Sequence, residues 1–361
     1  MTDTHAVLQD TLARWPRAPL ALLPTPLHRL ENFSRELGGP ELWIKRDDLT
    51  GLEGGGNKTR KLEYLVGDAL ASGADMLVTI GAIQSNHTRQ TAAAAARHNM
   101  KCSLLHFGWT KDAGPVYRRT GNILLSSLMG ADLYLDETPR PIEDQGPLAE
   151  FVERLRRAGH APYLIPGGAS EHRLGSFGYL NCAAEIVQQC RESGVRFQHV
   201  VHCTGSSSTQ AGLLAGFAFM AEPISVIGIA DDHETQIKRA RVLELANNTL
   251  AEIGASARVA AEDVEVIAAD RSEYGEAEPA TIDMIRRFAH SEGIVTDPVY
   301  EGKALRGLAK LVDDGRFDPS EKVLVLHLGG TPAVHAYADQ FGAPVFKPYT
   351  DAVPTERRVT P

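Results

Sequence analysis

A lysine at the end of a glycine-rich turn is the residue of this sequence with the clearest chemical potential. Lys58 follows Gly54, Gly55, Gly56 and Asn57, and it enters a stretch whose apolar residues have helical spacing. The turn looks at first like a P-loop, but that motif would place its lysine at position 57, where asparagine stands. A lysine amine that can lose its proton can instead hold the aldehyde group of a cofactor.

A second cluster of glycine and hydroxyl residues lies far downstream. It consists of Thr204, Gly205, Ser206, Ser207, Ser208 and Thr209. The cluster follows an apolar run typical of a buried strand and opens a helical pattern, so its N–H groups and hydroxyls are placed to bind a phosphate. One special lysine and one remote phosphate cradle together indicate pyridoxal 5'-phosphate (PLP) as cofactor.

Composition excludes several classes of function. The 361 residues suffice for a large core and two domains, and 43% hydrophobic with 23% charged residues is ordinary globular usage. A net charge of −9 without a run of Lys or Arg argues against a nucleic-acid partner or an anionic membrane surface. No apolar run approaches the ~20 residues that span a bilayer.

Cysteine usage and the first residues indicate a compartment. Cys102, Cys182, Cys190 and Cys203 form no CxxC pair and lie in apolar runs, which favours buried free thiols in a reducing compartment. Prolines interrupt the apolar stretch that follows Arg17, so no signal-peptide core is expected there. We therefore expect a cytoplasmic enzyme.

Apolar runs typical of strands alternate with segments of helical spacing. The predicted strands are 76–80, 102–107, 131–135, 163–165, 199–203, 225–230, 264–268 and 323–328. The predicted helices are 62–70, 86–97, 122–129, 148–157, 179–190, 209–219, 234–250, 279–290 and 304–312. This alternation predicts an α/β fold with parallel sheets covered by helices on both faces. Such sheets bind ligands at the carboxyl ends of their strands, where the loops 81–86, 204–209 and 328–331 fall.

The sequence around Lys58 resembles a known family. The string Gly55-Gly56-Asn57-Lys58-Thr59-Arg60-Lys61-Leu62-Glu63-Tyr64-Leu65, together with Gln84-Ser85-Asn86, is similar to the 1-aminocyclopropane-1-carboxylate (ACC) deaminase / D-cysteine desulfhydrase family. Matching segments extend from about residue 23 to residue 337. The resemblance implies PLP fold type II, the tryptophan synthase β-like architecture of two open, mostly parallel twisted sheets. It also implies a homodimer, a large PLP-binding domain (1–59 plus 166–361) and a small domain (60–165).

The resemblance also implies roles for individual residues. Lys58 would form the Schiff base, and Lys61 would help the cradle at 204–209 to bind the phosphate. Ser85 would touch the substrate carboxylate, and Asn86 the ring oxygen of the cofactor as well as the substrate. The remaining expected contacts are Tyr274 and Tyr300 as catalytic and substrate-binding phenols, His87 and Trp109 against the substrate, and Glu301 and Leu328 against the cofactor.

The identity of the substrate depends on a mixed signature. Glu301 and Leu328 are typical of the ACC deaminases in this family, whereas desulfhydrases usually carry Thr or Ser at these places. The segment 42–51 looks like the desulfhydrases, and His87 stands where deaminases tend to have Gln. ACC is therefore the first expected substrate, with D-cysteine close behind and L-cysteate as a further alternative.

Two other interpretations carry less weight. A non-catalytic protein that binds PLP or an amino acid would not need the lysine and both tyrosines. Asp231, Asp232 and His233 could suggest metal ligands, but no companion cluster has ligand spacing, and a polar loop after a strand explains them better. His199 and His202 lie in an apolar run that predicts core positions, so no metal is expected.

Overall fold

The computed structural model describes residues 4–138 and 146–346, which form two sheets and the helices around them. The strands are β1 Leu27–Arg29, β2 Glu41–Arg46, β3 Met76–Ala82, β4 Lys101–Phe107, β5 Asp132–Asp136, β6 Pro162–Ile165, β7 His199–Thr204, β8 Ser225–Ala230, β9 Glu265–Ile267 and β10 Lys322–His327. The helices are α1 Thr4–Leu12, α2 Glu31–Leu37, α3 Asn57–Ala71, α4 Asn86–Arg97, α5 Asn122–Leu128, α6 Gly146–Arg157, α7 Phe177–Ser193, α8 Ser208–Met220, α9 Thr235–Glu252, α10 Pro279–Glu292, α11 Glu301–Asp313, α12 Thr331–Val334 and α13 Ala338–Phe341.

The strand order confirms the predicted fold class. One sheet has six strands in the order β1-β2-β10-β7-β8-β9, and the other has four in the order β5-β4-β3-β6. Every pairing is parallel except that of β1 with β2. The central strands β3 and β7 are buried along their whole length, as expected where helices cover both faces of a parallel sheet. Parallel pairing brings the loops after β3, β7 and β10 to the carboxyl ends of the sheets.

The four-stranded sheet lies within the range predicted for the small domain. Its strands β3 to β6 fall between residues 76 and 165. The proposed first boundary, at residue 59, falls within helix α3, and the division into two domains stays a prediction. In the part of the chain that the structure describes, no helix combines the length and apolar character needed to cross a bilayer.

A buried ion network fixes helix α3, the helix that carries Lys58. The Arg60 guanidinium donates to both carboxylate oxygens of Asp47 at 2.8 Å and to both of Glu185 at 2.9 Å. Lys45 Nζ lies 2.6 Å from the same Glu185 carboxylate. Burial alone would raise the pKa of Glu185, but Arg60 and Lys45 lower it to about 2. The network therefore joins α3 to the end of β2 and to α7.

Close backbone contact holds α3 against α7. Gly178 of α7 faces the main chain of α3, and a Cβ at this position would lie 2.4 Å from the carbonyl carbon of Arg60. Nearby, Tyr64 and Trp15 both contact the ring of Phe177, with centroid separations of 5.6 and 5.0 Å. Only a residue without a side chain permits this approach.

We predict that Gly178→Ala lowers the free energy of unfolding by roughly 1–3 kcal/mol, because the methyl group forces α7 away from α3. Denaturant unfolding measures the change. Gly108→Ala is the matched control, since a Cβ there would have its closest neighbour at 3.6 Å. A Gly178→Ala protein as stable as the natural one would contradict the close approach of the two helices.

Candidate active site

Loops from both sheets line one cavity at the carboxyl ends of β3, β7 and β10. The predicted site residues that line it are Lys58, Ser85, Asn86, His87, Trp109, Thr204, Gly205, Ser206, Ser207, Thr209, Tyr274, Tyr300, Glu301 and Leu328. Lys61 and Ser208 lie one layer behind the wall, where Lys61 Nζ donates to Ser208 Oγ at 2.7 Å. The structure therefore brings the predicted set together around a single space.

The glycine turn places Lys58 in the first turn of α3. Gly56 has φ 126°, and a Cβ there would lie 2.7 Å from the amide nitrogen of Gln90. The Asn57 N–H donates to the Leu328 carbonyl at 2.8 Å, which holds the turn against the end of β10. Burial lowers the pKa of Lys58 to about 8, against the opposing influence of Cys203, Asp231 and Glu301. An amine with this lowered pKa has a much larger unprotonated fraction near neutral pH than an ordinary lysine, and the unprotonated form is the nucleophile for an aldehyde.

The loop after β7 has the features of an anion cradle. Ser207 adopts the left-handed conformation (φ 73°) directly before α8. Its hydroxyl and that of Thr204 are buried, and neither has a hydrogen-bond partner among the described residues. A Cβ at Gly205 would lie 2.5 Å from an Asp231 carboxylate oxygen. Unpaired hydroxyls next to a helix N-terminus fit a phosphate group.

Lys61 places a buried amine behind this loop. Its side chain is fully buried, and no carboxylate in the described ranges lies within ion-pair distance of it. Burial, and then the neighbouring Lys58, hold the pKa of Lys61 well below its usual range. A phosphate dianion would supply the missing negative charge, so the cradle and Lys61 fit the phosphate of PLP.

Ser85 ends the loop after β3 and caps α4. Its Oγ accepts hydrogen bonds from the N–H groups of His87 and Thr88 at 3.2 and 3.3 Å. Because the oxygen acts as acceptor in both, the hydroxyl proton is free to be donated into the cavity. The start of α4 is thus arranged to receive a carboxylate. Asn86 follows in the wall of the cavity, and its side-chain oxygen accepts from Asn122 Nδ2 at 2.8 Å.

His87 is a neutral polar group in the wall of the cavity. Burial, and then the charges of Lys58 and Lys61, hold the pKa of His87 well below its usual range. Its Nε2 lies 2.8 Å from the Thr79 hydroxyl. Trp109, on the same wall, has a buried indole N–H without a partner among the described residues, so it is available to a ligand.

The two tyrosines form a hydroxyl pair. Tyr274 Oη and Tyr300 Oη lie 2.6 Å apart, and both side chains line the cavity. Burial raises the pKa of both phenols, and that of Tyr300 also because of the adjoining Tyr274. Both are therefore protonated at neutral pH. One hydroxyl donates to the other, which leaves one O–H of the pair free to deliver a proton.

Glu301 places a carboxyl group at the first residue of α11. Burial, and then the nearby Asp297 carboxylate, hold the pKa of Glu301 well above its usual range, although the Leu328 main chain acts in the opposite direction. His327 Nδ1 lies 3.8 Å away. Asp297 caps the same helix by accepting the N–H groups of Val299 and Tyr300, each at 2.8 Å. A carboxyl group that favours the protonated state suits a partner for a pyridine nitrogen.

Several residues of the cavity wall were not predicted. Gly168 follows β6, and a Cβ there would lie 2.6 Å from Ser206 Oγ. The absence of a side chain at this position therefore allows the loop 204–209 to lie close to it. Lys238 of α9 lies 3.0 Å from Asp231 and 2.7 Å from Asp232, next to Arg241. Gly168 and Asp231 follow strands and could have been inferred from that topology. The α9 residues carry no motif. Residues 4–138 and 146–346 contain no His, Cys, Asp and Glu group able to hold a metal ion.

Comparison with known proteins agrees with the class that this fold and site define. A family model described as "Pyridoxal-phosphate dependent enzyme" matches residues 19–329. The ACC deaminase of Burkholderia vietnamiensis is 46% identical over 91% of this chain and 98% of its own length. That of Methylobacterium sp. is 45% identical over 91% of this chain and 99% of its own length.

A solved structure gives the same result. The crystal structure of an ACC deaminase homologue superposes with a TM-score of 0.84 at 36% identity, over 94% of this chain and 98% of that chain. The chain belongs to the ACC deaminase / D-cysteine desulfhydrase family of PLP-dependent enzymes. This confirms the predicted fold class and the predicted cofactor.

We predict that uptake of PLP by the cofactor-free protein accelerates as the pH rises and levels off above about pH 8, because only the unprotonated Lys58 amine attacks an aldehyde. Stopped-flow absorbance at several pH values measures the rate. Borohydride reduction followed by peptide mass spectrometry locates the adduct, and Lys58→Ala serves as the control without one. An adduct on another lysine, or a rate independent of pH, would contradict the assignment of Lys58.

Proposed function

We propose that this enzyme is an ACC deaminase, which converts ACC and water to 2-oxobutanoate and ammonia. The observation that carries the proposal is that Glu301 and Leu328 both line the cavity. The curated relatives named ACC deaminase match about nine-tenths of this chain at 45–46% identity, which supports the same conclusion. When bound, PLP would supply the electron sink that draws charge away from the reacting carbon.

The residues at the start of α4 would bind the substrate carboxylate. The free hydroxyl proton of Ser85 and the helix N-terminus both favour an anion there. Asn86 would orient the cofactor ring beside the substrate. The neutral side chain of His87 would complete this wall without adding a second charge.

One ring carbon of ACC becomes the methyl group of 2-oxobutanoate, so that carbon must gain a proton after its bond to the amine-bearing carbon has opened with the electrons of that bond left on the amine-bearing carbon. ACC carries no hydrogen on the carbon that bears its amine, so Lys58 cannot begin the reaction by removing one. The Tyr274–Tyr300 pair lines the same cavity and retains its protons at neutral pH. We assign to this pair the delivery of a proton to the opened ring, and to Lys58 the holding of the cofactor aldehyde.

Glu301 would sustain the electron demand of this step. Its buried carboxyl can share a proton with the pyridine nitrogen of the cofactor, which strengthens electron withdrawal. Desulfuration requires less withdrawal, because a thiolate leaves readily once the adjacent carbon has lost its proton. A carboxyl at this place is therefore more valuable to an enzyme that acts on ACC.

D-Cysteine desulfhydrase is the second candidate. The segment 42–51 and His87 favour it, and the neutral, buried imidazole would be compatible with a thiol-bearing substrate. In that reaction Lys58 would remove the proton from the α carbon, and the products would be pyruvate, sulfide and ammonia. L-Cysteate is a related possibility. We further propose a cytoplasmic homodimer, as the family resemblance and composition imply, which light scattering would test for assembly.

We predict that the purified holoenzyme forms 2-oxobutanoate and ammonia from ACC, because the Tyr274–Tyr300 pair can supply the proton that the opened ring must gain. Chromatography of the 2-oxo acids, together with sulfide detection, is applied to ACC, D-cysteine, L-cysteine and L-cysteate. Tyr117→Phe is the control, since that hydroxyl contacts Thr110 at 2.7 Å outside the cavity. Rapid sulfide release without ACC turnover would establish the desulfhydrase instead.

We predict that converting both Glu301 and Leu328 to Thr lowers ACC turnover roughly ten- to a hundredfold, the equivalent of a lost charge-assisted hydrogen bond. D-Cysteine turnover should fall much less. Cofactor content is measured alongside, and Glu278→Thr, outside the cavity, controls for loss of a carboxyl elsewhere. Equal losses on both substrates would show that this pair does not determine the choice of substrate.

A further inference from the structure

Asn122 is buried behind the cavity, at the first residue of α5, and every polar atom of its side chain is engaged. Its Oδ1 accepts from Arg89 Nε at 2.7 Å. Its Nδ2 donates to the Gln84 carbonyl at 2.9 Å and to Asn86 Oδ1 at 2.8 Å. The group that receives this last bond belongs to the cavity wall.

The direction of each hydrogen bond in this chain follows from chemistry. A guanidinium has only donors, so the atom of Asn122 that faces Arg89 is its oxygen. The amide nitrogen of Asn122 therefore faces Asn86 and can only donate to it. Asn86 therefore accepts this hydrogen bond with its side-chain oxygen. Its NH2 group is directed elsewhere and forms no hydrogen bond within the described residues.

Arg89 also holds the turn that leads to Lys58. Its Nη2 donates to the Gly55 carbonyl at 2.8 Å, and its Nη1 donates to the Glu53 carbonyl. No carboxylate in the described ranges forms an ion pair with this guanidinium. Burial lowers the pKa of Arg89 only to about 10, so it keeps its charge at neutral pH. Arg89 thus holds the turn before Lys58 directly, and it holds the Asn86 amide through Asn122.

We propose that Asn122, oriented by Arg89, is a positioning residue that fixes the Asn86 amide with its NH2 group toward the ring oxygen of PLP. The inference rests on the proposed placement of the cofactor ring against Asn86. A fixed donor at this place stabilises a negatively charged ring oxygen, and a fixed acceptor would destabilise it. The hydrogen bonds from Arg89 to Asn122 and from Asn122 to Asn86 determine whether the cavity presents a donor or an acceptor to the ring oxygen.

Asn122→Asp reverses the orientation while conserving shape. An aspartate can still pair with Arg89, but it cannot donate to Asn86, so the Asn86 amide turns and presents its oxygen to the cofactor. We expect PLP affinity to fall roughly ten- to a hundredfold, the range for a hydrogen bond to a charged group. The pH at which the visible absorption of the bound cofactor changes should rise by about one unit or more.

Asn122→Ala removes the side chain that orients the Asn86 amide without replacing it by an acceptor. It leaves Asn86 free to turn either way, so its shift in the absorption titration should be smaller than that of Asn122→Asp. Ser126→Ala is the matched control, because Ser126 Oγ donates to the Asn122 main-chain carbonyl at 3.0 Å and contacts no part of Asn86. This control should titrate like the natural protein.

Equilibrium dialysis of PLP and spectrophotometric pH titration, both without amino acid, provide the readouts. A natural titration in Asn122→Asp, or a larger shift in Asn122→Ala than in Asn122→Asp, would overturn the proposal. If Asn122→Asp does not fold, Asn122→Ala decides, and a natural titration in that variant overturns it as well. A natural titration in Asn86→Asp would overturn the placement of the ring. Failure to turn over ACC would affect only the proposed function.

Discussion

The buried ion network around Arg60 is the interaction on which the placement of Lys58 depends. Arg60 lies two residues after Lys58 on the same helix, and it is held by Asp47 and Glu185 from two other elements. Buried charges are costly unless paired and hydrogen-bonded, so moving α3 away from these partners would leave uncompensated charges. Because Lys58 lies on the same helix, the network also fixes where Lys58 lies. The glycine turn before it then needs only to avoid steric conflict with Gln90 and the end of β10.

Paired and unpaired charges are separated in space in this molecule. Behind the site, Arg60, Lys45, Asp47 and Glu185 satisfy one another. Around the cavity, several buried polar groups have no partner within residues 4–138 and 146–346, among them the hydroxyls of Thr204 and Ser207 and the indole N–H of Trp109. Perturbed and unpaired groups concentrate at functional sites because a ligand completes them. This distribution indicates, without reference to any motif, that the cavity is a place where a ligand binds.

Hydrogen-bond donors and acidic groups lie at different places around the cavity. Groups that donate hydrogen bonds lie where a phosphate and a ring oxygen would be. They are Lys61, and the Asn86 amide that Arg89 orients through Asn122. A carboxyl with a raised pKa lies at Glu301, where a pyridine nitrogen would be. PLP has anionic groups and a basic nitrogen at separate positions, so the polarity of the cavity matches that of the cofactor.

Much of this organisation could be predicted from sequence, because parallel strands have long apolar runs and end in recognisable loops. The helix at 86–97 and the strand at 225–230 have the predicted bounds. The first strands were not predicted. β1 has only three residues, and β2 pairs with it in antiparallel orientation across the intervening helix α2, in a region with several prolines. Predicting Lys238 or Asn122 at the site would have required tertiary contacts, because neither lies in a motif.

The unpaired groups have a thermodynamic consequence for the whole chain. Burying Lys61 and Arg89 without a carboxylate partner among the described residues costs folding free energy, and it depresses the pKa of each. A ligand that binds only the folded state returns stability in proportion to the logarithm of its concentration over its dissociation constant. The cofactor is therefore part of the folding energetics as well as of the chemistry. The charges of the Arg60 network pair with one another and need no ligand, so the network holds α3 in place whether or not the cofactor is bound.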